Sequence, residues 1–245
     1  MAAGKQIILI TGANSGVGLD TAYYLTKAAS NHVIMGVRSL EKGQKALDEV
    51  QARKPQGSLS LLSLDISNDE SIFAAVKKVE ADYGRLDVLI NNAGNQVQSR
   101  APSREELRES FETNVYGPVV LTQALTPLIT ASKGKKIINV SSELGSISGN
   151  AKGSGPPFTA YRMSKAALNM FTTCQQQYLK GQGVKVWSFC PGFVVTNLAG
   201  QRDGRAAMGA ESSETSAQAI LDIVDGKRDA QAGTFIGRYD AQFSW

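Results

Sequence analysis

The sequence has little of the residue types from which disulfide frameworks and zinc sites are built. It contains two cysteines, Cys174 and Cys190, and one histidine, His32, in 245 residues. Two isolated cysteines do not make a disulfide framework and favour a reducing compartment. With one histidine and no close cysteine pair, we expect no metal site. A Ser-His-Asp triad would have to use His32, which begins an apolar run and is more simply explained as a strand residue.

The sequence also lacks long hydrophobic runs. None approaches the roughly 18 apolar residues of a membrane-spanning helix. The first run, at residues 7–10, is too short for the core of a signal peptide. We therefore expect a cytoplasmic protein that has no membrane partner.

The positive charge is small and scattered. There are 26 basic and 22 acidic residues, which gives a net charge of +4. Proteins that bind nucleic acid usually collect their basic residues on one face, so we expect no nucleic-acid partner. A weak positive balance suits a small anionic ligand equally well.

Short apolar runs alternate along the chain with amphipathic segments of helical periodicity. Most of the short runs are apolar at nearly every position, which is typical of a sheet covered on both faces. The alternation predicts one α/β domain over residues 1–245 with a doubly wound parallel sheet. Capping boxes at Ser67 with Glu70 and at Ser103 with Glu106 predict two helix starts. The predicted strands are 6–11, 32–37, 59–64, 88–91, 137–141, 184–190 and 234–236, and the predicted helices lie near 17–28, 41–53, 69–82, 104–131, 160–180 and 214–225.

A glycine-rich segment joins the first predicted strand to the first predicted helix. It reads Thr11-Gly12-Ala13-Asn14-Ser15-Gly16-Val17-Gly18. Glycines let the backbone approach a pyrophosphate closely, and the helix start supplies free N–H groups and a partial positive charge. In this position the pattern predicts a dinucleotide site rather than a plain glycine turn.

The end of the second predicted strand indicates which dinucleotide binds. A site for the unphosphorylated cofactor places an acidic residue there, whereas this sequence has Gly36-Val37-Arg38-Ser39. Arg38 can pair with a 2′-phosphate through its planar fork, which favours NADP(H). The alternative is that Arg38 is a solvated surface residue. Asp65, at the end of the third strand, is a candidate contact for the adenine amino group.

Tyr161 and Lys165 are four residues apart at the start of a predicted helix, so both lie on one face. A nearby cation favours the phenolate and lowers the pKa of a tyrosine from its usual value of about 10. Ser142 ends the fifth predicted strand at the same sheet edge, where its hydroxyl can bind a substrate carbonyl. A second pair with this spacing, Tyr23 and Lys27, lies past the first turn of the cofactor helix, and we interpret it as structural.

These motifs, in this order along nearly the whole chain, resemble the single-domain short-chain dehydrogenase/reductase family. Within it the chain is similar to the C-factor/sniffer-like carbonyl reductases, in residues 142–147, 161–169 and 239–245. The resemblance implies a Rossmann fold of about seven strands in the order 3-2-1-4-5-6-7, with helices on both faces. It rests on Thr11 to Gly18, Asp65, Asn91-Asn92-Ala93-Gly94, Asn114, Val140-Ser141-Ser142, Tyr161-x-x-x-Lys165 and Pro191-Gly192 leading to Thr196.

The resemblance further implies an NADPH-dependent carbonyl reductase, which transfers a hydride between the nicotinamide and a ketone or aldehyde. Tyr161 is then the general acid, and Ser142 orients the carbonyl. Lys165 binds the nicotinamide ribose and lowers the phenol pKa, while Asn114 holds a water in a proton relay. The implied cofactor contacts are Gly12, Asn14, Ser15, Gly16, Val17, Gly18, Arg38, Asp65, Ile66, Asn91, Ala93, Gly94, Tyr161, Lys165, Pro191, Gly192, Val194 and Thr196.

Two other functions stay open at this point. One is a non-catalytic redox sensor that binds NADP(H), although a sensor does not need Ser142, Tyr161 and Lys165 together. The other is an enzyme of the same fold with different chemistry, such as an isomerase, dehydratase or cyclase. The expected partner is a small-molecule carbonyl substrate. The chain lacks the glycine-rich ending common among tetrameric members, which argues against a tetramer and leaves a homodimer open.

Two long loops, 143–160 and 193–213, leave the carboxyl ends of strands, where ligands bind in open α/β sheets. The first carries glycines ahead of Pro156-Pro157, which predicts a mobile arm on a rigid base. The second contains Arg202 and Arg205, which can meet an acidic substrate, and is predicted to close over the cofactor as a lid. The alternative is two disordered surface loops without a ligand role. The predicted apolar contacts are Phe158, Phe193 and Met208.

Overall fold

The computed structural model describes residues 4–153, 158–200 and 202–245, except the side chains of Ala199 and Arg202. These residues form one eight-stranded sheet in the order β3-β2-β1-β4-β5-β6-β7-β8. The predicted order of the first seven strands is confirmed, and neighbours among them pair in parallel. The strands are β1 Gln6–Thr11, β2 Asn31–Val37, β3 Ser58–Ser63, β4 Val88–Asn91, β5 Lys136–Val140, β6 Lys185–Cys190, β7 Phe235–Gly237 and β8 Gln242–Phe243.

The eighth strand was not predicted from the sequence. It is two residues long and pairs antiparallel with β7. Trp245 follows it and stacks on Phe235 of β7, with the ring centroids 5.6 Å apart. The end of the chain therefore covers the outer edge of the sheet.

Helices cover both faces of the sheet, as the apolar strands predict. In β1, Ile8 and Ile10 belong to one buried cluster, together with residues of the first and last long helices. Ile7 and Leu9 belong to a second cluster on the opposite face. The helices are α1 Gly16–Leu25, α2 Leu40–Ala52, α3 Asp69–Tyr83, α4 Arg104–Phe111, α5 Gly117–Thr130, α6 Ile147–Ala151, α7 Thr159–Leu179, α8 Arg202–Ala207 and α9 Ser213–Val224.

The helix predicted over 104–131 is divided into α4 and α5 by a π-helical turn at Glu112–Tyr116. Pro118 has no N–H and cannot continue the regular hydrogen-bond pattern. Gly117 packs against the loop that follows β3. A Cβ atom at this position would overlap the carbonyl oxygen of Ile66 in that loop. These two residues explain why one amphipathic pattern becomes two helices. The predicted capping box at the start of α4 is confirmed, since Ser103 and Glu106 bond each other's backbone.

The capping box predicted for α3 is wrong. The N-cap is Asn68, whose side chain accepts a hydrogen bond from the backbone N–H of Ser71 at 2.8 Å. Ser67 instead donates its hydroxyl to the Asp65 carboxylate at 2.6 Å. A carboxylate two residues away competes successfully for this serine, so the pairing with Glu70 does not form.

The histidine is a structural residue of β2, as its position in an apolar run indicates. His32 is buried, and its ring nitrogens lie 2.8 Å from the hydroxyl of Ser58 and 3.0 Å from that of Ser60. The phenol of Tyr83 is a further partner at 2.9 Å. Burial lowers the pKa of His32. These partners contain no carboxylate, so His32 does not take part in a Ser-His-Asp triad.

Some sequence-derived expectations concern residues outside this description. Gly155, predicted to belong to a mobile arm, and Pro156 and Pro157, predicted to form its rigid base, lie outside the described residues. The side chain of Arg202 also lies outside them. In the described part of the chain, no helix combines the length and apolar character needed to cross a membrane.

Candidate active site

A cleft of about 1280 Å³ lies along the carboxyl edge of the sheet. Small-molecule sites typically have volumes of about 300–1000 Å³, so this cleft has room for a dinucleotide and a second small molecule. The predicted site residues that line it are Gly12, Asn14, Ser15, Gly16, Val17, Arg38, Asp65, Ile66, Ala93, Gly94, Ser142, Tyr161, Lys165, Pro191, Gly192, Val194 and Thr196.

Two predicted cofactor contacts lie beneath the cleft rather than on its surface. Asn91 is 1% exposed, and its amide donates to Thr122 and Asn139 inside the sheet. Gly18 is buried in the first turn of α1, where a Cβ atom would come within 2.5 Å of the Asn92 amide nitrogen. Asn92 lines the cleft in their place, and its amide donates to the carbonyl oxygen of Thr11 at 2.8 Å.

Asn114 is also buried, in the π-helical turn, and does not line the cleft. Its amide group donates to the carbonyl oxygen of Asn95 and to the hydroxyl of Ser164, each at 3.0 Å. Its Oδ1 accepts from the backbone N–H of Asn95 at 3.0 Å. The side chain therefore ties the loop after β4 to α7 beside Lys165. The proton-relay water expected at Asn114 stays a prediction.

The glycine-rich turn after β1 is shaped for close approach. Gly12 and Gly16 have φ angles of +65° and +53°, which favour glycine. A Cβ atom on Gly12 would lie 3.0 Å from Ala93, and one on Gly16 would lie 3.0 Å from Thr196. Ser15, the N-cap of α1, makes no side-chain capping bond, and the first turn holds no acidic residue. The first amides of α1 are therefore left for an anion, which fits a pyrophosphate.

Basic and hydroxyl groups collect at the other end of the cleft, after β2. Arg38 is exposed, and Ser39 caps α2 by accepting from the backbone N–H of Lys42 at 3.3 Å. All three residues line the cleft. Lys42 was not predicted as a cleft residue. Its position four residues after Arg38, in the first turn of a capped helix, could have indicated that both side chains lie on the same side. This donor set can bind an anionic group.

Tyr161 and Ser142 meet at the middle of the cleft. Tyr161 is 6% exposed, and the Ser142 hydroxyl is a hydrogen-bond partner of its phenol. Ser142 begins a short 3₁₀ turn, where its oxygen accepts from the backbone N–H of Leu144 at 3.2 Å. Gly145 lets this turn pack on α7, because a Cβ atom there would lie 2.7 Å from the backbone of Lys165. The hydroxyl of Ser142 therefore lies beside the Tyr161 phenol on one wall of the cleft.

Lys165 lies one turn after Tyr161, as the spacing predicts. Its Nζ donates to the carbonyl oxygen of Val140 at 2.9 Å and lies 5.7 Å from the centroid of the Tyr161 ring. Gly94 lies beside this amine, since a Cβ atom there would be in van der Waals contact with it at 3.6 Å. Burial lowers the pKa of Lys165 to about 8.

The pKa of Tyr161 differs from the expectation that Lys165 lowers it. In the protein, burial raises the pKa of this phenol to about 12. Ser142 and Arg205 act in the opposite direction, but they do not outweigh the loss of solvation. The phenol is therefore protonated at neutral pH, which is the form a proton donor needs.

Both long loops contribute walls to the cleft. Phe158 belongs to the first loop, and Phe193 and Met208 belong to the second. The second loop is closed at its base, where Val195 donates to the Glu211 carbonyl at 2.8 Å and Glu211 donates to that of Phe193 at 3.1 Å. It carries the short helix α8, which sequence periodicity did not predict.

The second Tyr-x-x-x-Lys pair is structural, as interpreted from the sequence. Lys27 lies over the rings of Tyr23 and Tyr24, 5.0 and 4.1 Å from their centroids. The guanidinium carbon of Arg53 lies over the ring of Tyr23, 3.4 Å from its centroid. None of these residues lines the cleft. Within the described residues, no group of three or more His, Cys, Asp or Glu side chains is arranged to hold a metal ion.

Comparisons with known proteins agree with this geometry. Residues 6–206 match the short chain dehydrogenase family. The short-chain dehydrogenase anuI of Penicillium roqueforti is 38% identical over 228 residues, which cover 89% of this chain and 87% of the relative.

Two solved structures share the whole fold. The NADPH-bound carbonyl reductase from chicken fatty liver is 26% identical with a TM-score of 0.85, and the match covers 98% of this chain and 99% of that one. The carbonyl reductase Sniffer of Drosophila melanogaster is 28% identical with a TM-score of 0.81, over 98% and 100% of the two chains. The chain therefore belongs to the short-chain dehydrogenase family of oxidoreductases.

Proposed function

We propose that the protein is an NADP(H)-dependent reductase of small ketones or aldehydes, with oxidation of the secondary or primary alcohol as its reverse reaction. The observation that carries this proposal is the meeting of Tyr161, Ser142 and Lys165 on one wall of the cleft. A glycine-rich turn that fits a pyrophosphate lies in the same cleft. A protein that only binds the cofactor does not need this polar group.

The residues of the cleft fit the dinucleotide from end to end. The amides at the start of α1 and the turn from Gly12 to Gly16 would hold the pyrophosphate. Arg38, with Ser39 and Lys42, would hold the 2′-phosphate, and Asp65 lies where the adenine is expected. Lys165 uses one N–H on Val140 and has two left for ribose hydroxyls.

The proton chemistry follows from the protonation states. When bound, NADPH supplies the hydride that adds to the carbonyl carbon. Ser142 donates a hydrogen bond to the carbonyl oxygen and holds it near the phenol. Tyr161 then gives its proton to that oxygen and becomes a phenolate, which the positive charge of Lys165 stabilises. In the alcohol-oxidising direction the phenolate takes the proton back.

The carbonyl reductase named in each structural relative supports this choice of chemistry, and the chicken relative is named as NADPH-bound. The test is a turnover assay that follows NADPH absorbance with a panel of aldehydes, ketones and 1,2-dicarbonyls. We expect consumption of NADPH and formation of the alcohol, with NADH at least about fivefold less efficient in kcat/KM. Tight NADPH binding without turnover of any carbonyl would favour a sensor, and equal use of both cofactors would refute the NADP preference.

A further inference from the structure

Arg205 is a buried cation in the substrate end of the cleft. The residue is 9% exposed and is one of those that line the cleft. One terminal nitrogen donates to the side-chain oxygen of Gln96 at 2.8 Å. The Nε atom is buried and has no hydrogen-bond partner. Arg205 is thus a guanidinium with donors left unused inside a ligand site.

No carboxylate of the described residues compensates this charge. Ten ion pairs are formed in the described part of the chain, and none of them involves Arg205. Gln96 is a neutral partner, and the ring of Phe193 lies 5.5 Å from the guanidinium. A buried charge without a counter-ion is costly and is usually kept where a ligand supplies the opposite charge.

The position of Arg205 points to the substrate rather than to the cofactor phosphates. The turn that fits the pyrophosphate packs against Ala93 and Thr196, and the basic group for the 2′-phosphate lies after β2. Arg205 instead contacts Gln96 and Phe193, and its charge acts on the Tyr161 phenol. An anion held by Arg205 is therefore close to the reacting carbonyl.

The guanidinium is also held in place before any ligand arrives. Gln96 fixes one terminal nitrogen, and the guanidinium carbon lies over the ring of Phe193, 5.5 Å from its centroid. The backbone hydrogen bonds that Glu211 makes with Phe193 and Val195 close the base of the loop that carries α8. A fixed planar fork can take two oxygens of one carboxylate with little loss of freedom.

We propose that Arg205 binds a carboxylate of the substrate, so that the preferred substrates are carbonyl compounds that carry an acidic group near the reacting carbon. This inference rests on the proposed reductase function and names the substrate class for the same site. Arg205 acts here as a specificity-determining residue that touches the substrate.

The test compares matched substrates with and without the charge. Benzoylformate is paired with its methyl ester, and 4-carboxybenzaldehyde is paired with methyl 4-formylbenzoate. Each pair is reduced by the wild-type enzyme, by Arg205→Gln and by Arg205→Lys. The matched control is Arg108→Gln, which removes the same charge from an exposed position on α4.

We expect Arg205→Gln to lower the acid-to-ester ratio of kcat/KM by about 10- to 100-fold in at least one pair, the loss expected for a charge-assisted hydrogen-bonded pair. Arg205→Lys keeps the charge without the fork, so it should restore part of this ratio. Arg108→Gln should leave the ratio unchanged. If Arg205→Gln lowers kcat/KM equally for the acid and the ester, the proposal is overturned.

Two further measurements separate the possible failures. The Kd of NADPH is measured for wild type and Arg205→Gln. A loss of NADPH affinity as large as the loss in the acid-to-ester ratio would assign Arg205 to a cofactor phosphate and overturn the inference. Binding of benzoate to the complex with NADP⁺ is measured by calorimetry. If wild type turns over none of the four substrates and none of the wider panel of aldehydes, ketones and 1,2-dicarbonyls, the reductase proposal fails. If Arg205→Gln loses benzoate binding, Arg205 is part of an anion site even without turnover. If Arg205→Gln binds benzoate as wild type does, the proposal is overturned.

Discussion

Replacing Gly18 with alanine tests how the cofactor turn is built. A Cβ atom at this position would lie 2.5 Å from the amide nitrogen of Asn92 and 2.6 Å from the carbonyl oxygen of Gly12. The Asn92 amide already donates to the carbonyl oxygens of Thr11 and Gly12, at 2.8 and 3.3 Å. The new methyl group must displace either this amide or the turn itself.

The expected losses of stability and of NADPH affinity follow from these contacts. Overpacking of a rigid site costs about 1–3 kcal/mol, and each hydrogen bond lost from Asn92 adds about 0.5–1.5 kcal/mol. Because one movement of Asn92 serves both effects, we expect Gly18→Ala to lower the free energy of unfolding by about 2–4 kcal/mol. We also expect NADPH to bind about tenfold more weakly or worse, which corresponds to about 1.4 kcal/mol, since the amides of the turn shift.

The assays are thermal unfolding without ligand and NADPH titration followed by fluorescence. The control is Gly181→Ala, because Gly181 has no heavy atom within 4 Å of an added Cβ. We expect this variant to unfold within about 0.5 kcal/mol of wild type and to bind NADPH normally. A Gly18→Ala protein with wild-type stability and wild-type NADPH affinity would refute the reasoning.

Three further predictions concern the cofactor preference, the pH dependence of the reaction and the lid. Arg38→Ala should weaken NADPH binding by about 5- to 30-fold and leave NADH binding nearly unchanged, because the exposed arginine pairs only with the 2′-phosphate; equal losses for both cofactors would count against this pairing. For carbonyl reduction, kcat/KM should fall as the pH rises through about 8, the value to which burial lowers the pKa of Lys165, because the neutral amine no longer stabilises the phenolate. Lys165→Arg should move this fall to higher pH, and a flat wild-type profile between about pH 6 and 10 would contradict the assignment. Saturating NADPH should slow tryptic cleavage within residues 193–213 if this loop closes over the cofactor; unchanged cleavage would rule out the lid.

The sheet and the ends of its strands could be predicted because local sequence determines them. The strands are runs of buried apolar residues, and the residues after them collect at one edge whatever the details of packing. The two-residue β8 could not be predicted, since Gln242 and Phe243 show no periodicity and pair only after β7 is in place. The break between α4 and α5 follows partly from Pro118. It also depends on the contact of Gly117 with Ile66, which is distant in sequence.

Within the site, the residue types were predictable but their directions and environments were not. Asn91 was expected to line the cleft and Asn114 to hold a water in a proton relay, yet both side chains point into the protein and hold neighbouring segments together. The rise in the Tyr161 pKa depends on the burial of its phenol, which only the folded chain shows. The burial of Arg205 depends likewise on the packing of α8 against Gln96.

The most direct test of the account is the activity of Tyr161→Phe. The substitution keeps the ring and removes the hydroxyl group that we propose as the proton donor to the carbonyl oxygen. Tyr23→Phe is the matched control, because that tyrosine belongs to the same sequence pattern but lies outside the cleft. We predict that Tyr161→Phe loses at least about 100-fold in kcat while its NADPH affinity stays within about twofold of wild type, and that Tyr23→Phe remains active. A Tyr161→Phe enzyme that keeps more than about a tenth of the wild-type kcat would contradict the account.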